Sequence, residues 1–380
     1  MPTVLIPKET VPGETRVAAT PETVKRYAKA GLQIEVEAGA GASAGVLDEQ
    51  YQAAGASIVE ALKGWGAADL VFKVQPPTPD EAKRLKKGAL LVSVILPIAN
   101  LETVTALREA GVTTLALDLV PRISRAQSMD VLSSQATVAG YKAVLLGASH
   151  LSKLCPLLMT AAGTVPPAKV VVFGAGVAGL MAIATARRLG CVVEATDVRL
   201  AAKEQVESLG GRFIDVPGME DLEDEHGYAK EATPEFLARQ REEVAKRVAE
   251  ADLVITTAQI PGRKAPMLVP EETVRTMQPG AVIVDMAVES GGNCALSQLG
   301  EVVEANGVKI LGLGNLPATV PLHASELFAK NIHSLAKLFL KEEGKVELDW
   351  EDEVLAGSRL THDGEVHHQP TADALAEHSS

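Results

Sequence analysis

At 380 residues the chain is too long for one ordinary hydrophobic core, so two folding units are expected. Apolar residues make up 47%, charged residues 22% and aromatics only 3%, so the core must be built from Ala, Val, Leu and Ile, a mixture that suits helices packed on parallel strands. A net charge of -13 without any run of Lys and Arg argues against a nucleic-acid partner, and Cys155, Cys191 and Cys294 are too scattered for a disulfide frame or a zinc site.

The N-terminal MPTVLIPKET carries a Lys and a Glu and no long apolar stretch, which reads as a first strand and not as a signal peptide. Strand-like IEVEAG, LVFKV, ALLVSVIL and TTLALDLV follow, with helix-like PETVKRYAKAG and DEAKRLKKG between them, up to residue 120. A second series covers residues 168 to 315: KVVVFGAG, a helix to Leu189, CVVEATD, a helix, GRFIDV, an acidic loop, a charged helix, DLVITTA, AVIVDMA and KILGLGN. This alternation predicts an α/β fold of two Rossmann-like, doubly wound domains with a cleft between them. The uncharged run from Val170 to Ala186 approaches spanning length, but its glycines and its strand-then-helix pattern argue against a transmembrane segment.

After Pro317 and Pro321, HASELFAKNIHSLAKLFLKE carries an apolar stripe of Leu327, Phe328, Ile332, Leu335, Leu338 and Phe339. It is expected to return to the first domain, giving residues 1–138 plus 318–380 as one domain and 139–317 as the other. The final HHQPTADALAEHSS is polar and lacks helical periodicity, which predicts a strap or a loose tail. Met159, Met181, Met277 and Met286 fall in or beside apolar runs and read as core. No metal is expected, because the adjacent His367 and His368 diverge in an extended tail and no Cys or carboxylate spacing completes a site.

The chemistry concentrates at Gly174, Ala175, Gly176, Val177, Ala178 and Gly179, which follow a strand and open a helix, with Asp197 ending the next strand. That whole arrangement is specific for a dinucleotide. Gly174 permits a tight turn, Gly176 lets backbone approach a pyrophosphate, Gly179 lets helix pack on strand, and the helix N-terminus supplies N–H donors. Asp197, followed by Val198 and Arg199, can accept from a ribose diol and would repel a 2′-phosphate, so NAD(H) is favoured over NADP(H). Arg199 argues the other way, as an Arg can accommodate that phosphate; it is read here as the start of the next helix.

With PKET and GETRVAATPETV near the N-terminus, the glycine turn, and VDMAVESGGN from Val284 to Asn293, the chain resembles the alanine dehydrogenase and nicotinamide nucleotide transhydrogenase superfamily over nearly its whole length. Within it, PRISRAQSMDVLSSQATVAGY is similar to the soluble NAD(H)-binding domain of the proton-translocating transhydrogenase α subunit. The resemblance places the hydride-transfer loop on Arg122, Gln127 and Asp130, with Ser133 and Tyr141 following. Their expected task is to hold a nicotinamide so that C4 faces an acceptor at about 3 to 3.5 Å, since a misplacement of about 1 Å can cost on the order of a hundredfold in rate. It also implies a mobile loop with a tyrosine, matched by Tyr228 in the acidic segment DLEDEHGYAKEATPE, which would close over the nucleotide; on composition alone an ordinary solvated loop reads as well.

The resemblance further implies a homodimer, a membrane-spanning subunit, and a third subunit holding the NADP(H), with this chain in the cytoplasm, attached peripherally to the inner face of the cytoplasmic membrane. That the chain stops at Ser380 fits a separately encoded soluble subunit. Two other readings stand beside this one: an alanine dehydrogenase with an altered base, and a non-catalytic NAD(H)-sensing module. Amino-acid oxidation needs a general base within hydrogen-bond reach, and alanine dehydrogenases appear to use a histidine on a first-domain strand. Here that strand reads LVSVILPIAN, with Leu96 and Pro97 at the expected place, and the first histidine of the chain is His150. Hydride passing between two nicotinamide rings needs no base. Arg16 and Lys73 match cations that in alanine dehydrogenases look carboxylate-binding; an internal ion pair or a solvated charge is the alternative for each.

Overall fold

Residues 1–215, 234–259 and 264–378 are described by a computed structural model of the chain. They divide into two units, Met1–Gln135 with Ala318–Ser380, and Ala136–Pro317.

The first unit begins with β1 (Thr3–Ile6), α1 (Pro21–Lys29), β2 (Gln33–Glu37), α2 (Asp48–Ala53), β3 (Ser57–Val59), β4 (Leu70–Phe72), α3 (Pro79–Arg84), β5 (Leu90–Ser93), α4 (Leu101–Glu109) and β6 (Thr113–Ala116). LVF, LLVS and TTLA of β4 to β6 are buried throughout, as parallel strands covered on both faces must be. The helices start where their caps dictate. At α1, Thr20 and Thr23 exchange side-chain and backbone hydrogen bonds with Pro21 at the first helical position, and Thr78, Pro79 and Glu81 repeat the arrangement at α3. The strands β3-β2-β1-β4-β5-β6 pair in parallel, so the order reverses between β1 and β4.

The chain passes through α5 (Val131–His150) into the second unit. There follow the exposed hairpin β7 (Leu158–Thr160) and β8 (Gly163–Val165), then β9 (Lys169–Phe173), α6 (Val177–Arg188), β10 (Val192–Thr196), α7 (Ala202–Ser208), β11 (Arg212–Phe213), α8 (Pro234–Ala249), β12 (Leu253–Thr256), α9 (Glu271–Thr276), β13 (Val282–Asp285), β14 (Val302–Ala305) and β15 (Val308–Leu311). The order β11-β10-β9-β12-β13-β15-β14 is parallel except for β14, and it reverses between β9 and β12. A buried face of Gly179, Ala182, Ile183 and Ala186 seats α6 on the sheet.

The return helix α10 (Pro321–Phe339) buries Phe328, Ile332, Leu335 and Phe339 in the first unit's core, whereas Leu327 of the predicted stripe is exposed. The polar C-terminus is not a loose tail. After α11 (Glu353–Ser358), β16 (Arg359–His362) adds antiparallel to β6, β17 (Glu365–Val366) pairs with β16, and α12 (Gln369–His378) follows. Thr361 Oγ1 donates to Val112 O at 2.8 Å and lies 2.8 Å from Thr114 Oγ1, so the strand is held by partners distant in sequence that local periodicity does not register. Among the methionines, Met277 is core and Met181 and Met286 are half-buried, but Met159 stands 77% exposed on the hairpin, because β7 and β8 pair only with each other.

Candidate nucleotide site

The glycine turn lies at the C-terminal end of β9, at the second unit's switch point, where open α/β sheets bind ligands. Gly174 takes a φ of +89°, which only glycine adopts without strain. A Cβ there would also meet Thr257 Oγ1 at 2.6 Å. That hydroxyl donates to the carbonyls of Phe173 and Gly174 at 3.0 and 3.2 Å, so Thr257, just after β12, pins the turn. At Gly179 a Cβ would lie 1.8 Å from Gly174 O, whereas at Gly176 it would meet nothing within 4 Å. Ala175 is buried, and Gly176 and Val177 are exposed at the start of α6, which has no side-chain cap. Close packing at Gly179, open space at Gly176 and an uncapped helix N-terminus together fit a pyrophosphate. Ala178 is placed by α5: a Cβ at Gly140 would lie 2.1 Å from Ala178 O.

Asp197, just past β10, accepts from Ala175 N at 2.7 Å, which joins the acid to the turn. Arg199 does not begin a helix, for α7 starts at Ala202; instead it folds back across Val198 onto Asp197. Its backbone N and Nε reach Asp197 Oδ1, both at 2.9 Å, and Nη2 reaches Oδ2 at 2.9 Å. Burial pushes the Asp197 carboxyl up, but Arg199 and the backbone donors outweigh it and hold the group below its ordinary range.

Beyond the turn, Asp285 at the end of β13 is fully buried and accepts from Thr256 Oγ1 and from the amides of Ala287, Asn293 and Cys294 at 2.9 to 3.1 Å. Asn293 in turn bonds Ala258 N, Ala258 O and Pro266 O, so one buried network shapes the loops after β12 and β13. Sequence reasoning did not assign Thr257, Asp285 or Asn293. For Thr257 and Asp285 the signal was a polar residue at the end of an otherwise apolar strand run; Asn293, in the loop after β13, had none of that kind.

In the first unit, RISRAQSMD folds as a 3-10 turn over Ser124–Met129 with Arg122 and Gln127 exposed. Asp130 caps α5: Oδ1 accepts from Ser133 N at 2.9 Å and Oδ2 from Ser133 Oγ at 2.6 Å, so Asp130 and Ser133 act as a pair. Arg125 is a bidentate partner of Asp352 at 2.8 and 3.0 Å, tying the loop to the cap of α11. Tyr141 is exposed on α5, within the second unit. Tyr228, with most of its acidic segment, lies outside the described residues.

Arg16 and Lys73 are both buried and both paired. Arg16 forks onto Glu14 at 2.7 and 2.8 Å and donates to Gln135 at 2.9 Å; Lys73 reaches Glu9 at 3.1 Å and lies over the Trp65 ring. Burial pushes Glu14 up, yet Arg16 and Gln75 more than offset it and its pKa falls to about 2. In Glu9 burial wins over Lys73, and the pKa is raised. At the place expected of a base, Leu96 sits at φ +50°, with its amide and that of Ile95 donating to the half-buried Asp118.

Residues 5–139 and 143–369 match the N-terminal and C-terminal domains of the family described as alanine dehydrogenase/PNT. The chain belongs to this family. It is 50% identical over 374 residues to an NAD(P) transhydrogenase alpha subunit of Rhodospirillum rubrum, covering 96% of this chain and 97% of the relative. Identity to the alanine dehydrogenase of Bacillus subtilis is 31%, over 97% of this chain and 94% of the relative. The solved transhydrogenase from Sinorhizobium meliloti superposes with a TM-score of 0.88 at 45% identity, covering 96% of this chain and 99% of that one. Family membership thus makes the chain a relative of oxidoreductases with the two-domain α/β fold expected from its sequence.

Proposed function

We propose that this chain is the NAD(H)-binding alpha subunit of a proton-translocating transhydrogenase. The observation that carries the reading is the turn at the end of β9: it combines an open Gly176, an uncapped α6 and Asp197 anchored to Ala175, in a chain half identical to a transhydrogenase alpha subunit. When bound, the dinucleotide supplies a transferable hydride on its nicotinamide ring, to be passed to NADP+ held by a partner subunit. Residues 174–179 hold the pyrophosphate through backbone N–H groups and the dipole of α6. Asp197 accepts from the adenosine ribose.

Arg122, Gln127 and the Asp130 and Ser133 pair orient the carboxamide, with Tyr141 and Tyr228 as further contacts. Orientation is their contribution, since no proton changes hands between two rings. Coupling to proton movement belongs to a membrane subunit; no helix among the described residues is long and apolar enough to cross a membrane. Attachment to the inner face of the cytoplasmic membrane follows from that partnership. A homodimer is supported by the hairpin β7 and β8, where Leu157, Leu158 and Met159 expose apolar surface.

The test mixes the purified chain with an NADP(H)-loaded partner subunit and follows reduction of an NAD+ analogue by NADPH. Exchange is expected with the partner and none without it. Turnover of NAD+ with L-alanine by the chain alone would establish the dehydrogenase reading instead, and binding of NADH without exchange would establish a sensing module.

A further inference from the structure

We infer that Arg199 is a latent 2′-phosphate site, and that Asp197 sets nucleotide specificity by neutralising it. The inference rests on the reading of the β9 turn as an NAD(H) site. In the usual account an acid at the end of the second strand excludes NADP(H) by repulsion alone. Here the acid has a cation in its grip. Arg199 presents a forked guanidinium to both carboxylate oxygens, Nε to Oδ1 and Nη2 to Oδ2, each at 2.9 Å. The Arg199 side chain retains 19% exposure and that of Asp197 only 6%, so the guanidinium covers the solvent side of the acid. Ala175 N holds the other side at 2.7 Å, so the carboxylate is anchored to the turn and the arginine is the movable member of the pair.

A planar guanidinium that fits a carboxylate in this way also fits a phosphate. The four acceptor directions of Asp197 are taken by Ala175 N and by Arg199 N, Nε and Nη2. A neutral ribose diol has to displace only guanidinium contacts that it replaces with its own hydroxyl donors, so the carboxylate stays hydrogen-bonded and Arg199 stays beside it. A 2′-phosphate would have to pull the guanidinium away and would leave Asp197 as an unpaired, mostly buried charge beside the new anion. Discrimination then arises from the cost of breaking the pair. It follows that the cation needed for NADP(H) is already in place, and that removing one carboxylate uncovers it.

The experiment measures equilibrium dissociation constants for NADH and NADPH by calorimetry in the unaltered chain, Asp197→Ser, Asp197→Asn and the double variant Asp197→Ser with Arg199→Gln. The unaltered chain is expected to bind NADH and to bind NADPH far more weakly. Asp197→Ser is expected to weaken NADH and to tighten NADPH by roughly ten- to a hundredfold, the range for a hydrogen-bonded charge pair. Added salt should weaken the new NADPH binding more than NADH binding, and Arg199→Gln in the double variant should abolish the gain. Asp197→Asn keeps an acceptor for Ala175 N and serves if the serine variant does not fold. An NADPH constant that stays as weak in both Asp197 variants, or a gain that survives loss of the arginine, overturns the inference. Failure of the unaltered chain to bind NADH would instead overturn the site reading itself.

Discussion

Alanine at Gly176 and alanine at Gly179 are expected to have opposite consequences, although both residues belong to one turn. An ideal Cβ on Gly179 would lie 1.8 Å from the carbonyl oxygen of Gly174 and 2.8 Å from its carbon, and that obstacle is backbone. Overpacking of this kind costs about 1–3 kcal/mol, against a helix-propensity gain of at most about 1 kcal/mol. Gly179→Ala should therefore melt several degrees lower, at roughly 2–4 °C per kcal/mol for a unit of this size. At Gly176 a Cβ meets nothing within 4 Å, and the φ of −75° suits any residue. Gly176→Ala should fold as well as the parent or gain about 0.4–1 kcal/mol by restricting the unfolded chain. Its methyl group nevertheless fills the space through which a pyrophosphate would reach the backbone. A clash of about 1–3 kcal/mol there raises the Kd for NADH roughly fivefold to a hundredfold. Thermal denaturation and calorimetric titration of both variants decide the matter. A Gly176→Ala protein that melts like the parent and binds NADH with unchanged Kd refutes the assignment of this turn to the pyrophosphate.

Acid stability offers a second check. Glu14 ionises at about 2 when folded, against an ordinary 4.5, so its contribution is complete above about pH 4.5 and is lost as pH falls toward 2. At about 1.4 kcal/mol per unit this is on the order of 3 kcal/mol, and Glu14→Gln should flatten the acid limb of the stability curve measured by urea denaturation. Glu9 has the opposite sign: its raised pKa gives stability that is present below the ordinary glutamate value and lost as pH rises, so Glu9→Gln should not flatten that limb. Arg125→Ala should lower Tm at neutral pH and by clearly less near pH 2, where Asp352 is about half protonated, because Arg125 is the main cause holding its pKa down to about 2; an equal loss at both pH values would mean that the ion pair is not the cause. Burial pushes the Cys191 and Cys294 thiols up to about 12 and about 11, so at pH 8 a maleimide should label the half-buried Cys155 first, as read by mass spectrometry of peptides.

Local pattern made the nucleotide turn legible, because every requirement there is met within one strand, one turn and one helix. Gly174 makes the tight turn and Gly179 the close packing that their spacing implies, and Gly176 leaves open space at the start of the helix. Arg199 escaped this logic. Whether a residue two places past an acid begins a helix or folds back depends on where α7 starts, and Ala201 offers no side-chain cap to mark that point. The C-terminal strands escaped for a stronger reason. Arg359–His362 has no alternation worth noticing, and it becomes a strand because β6 has an open edge on which Thr361 finds Val112 and Thr114. Met159 misled in the reverse direction: an apolar residue beside apolar residues ended on an exposed hairpin, since hydrophobicity alone does not say whether a partner element exists.

The charged stretch after β6 shows how a dense polar segment divides its labour. Both of its arginines are exposed: Arg125 pairs with Asp352 and thereby fixes the C-terminal segment to the loop, and the ligand-orienting role proposed above falls to Arg122. Asp130 divides its two oxygens, Oδ1 capping α5 at Ser133 N and Oδ2 holding the Ser133 hydroxyl. A serine hydroxyl that donates to a carboxylate keeps its lone pairs for an amide N–H. On the reading proposed above, Asp130 is a positioning residue acting through Ser133, and removing either should disturb the same contact. Double-mutant analysis of Asp130→Asn and Ser133→Ala should then show strong non-additivity in hydride exchange, whereas additive losses would mean that each reaches the nicotinamide independently.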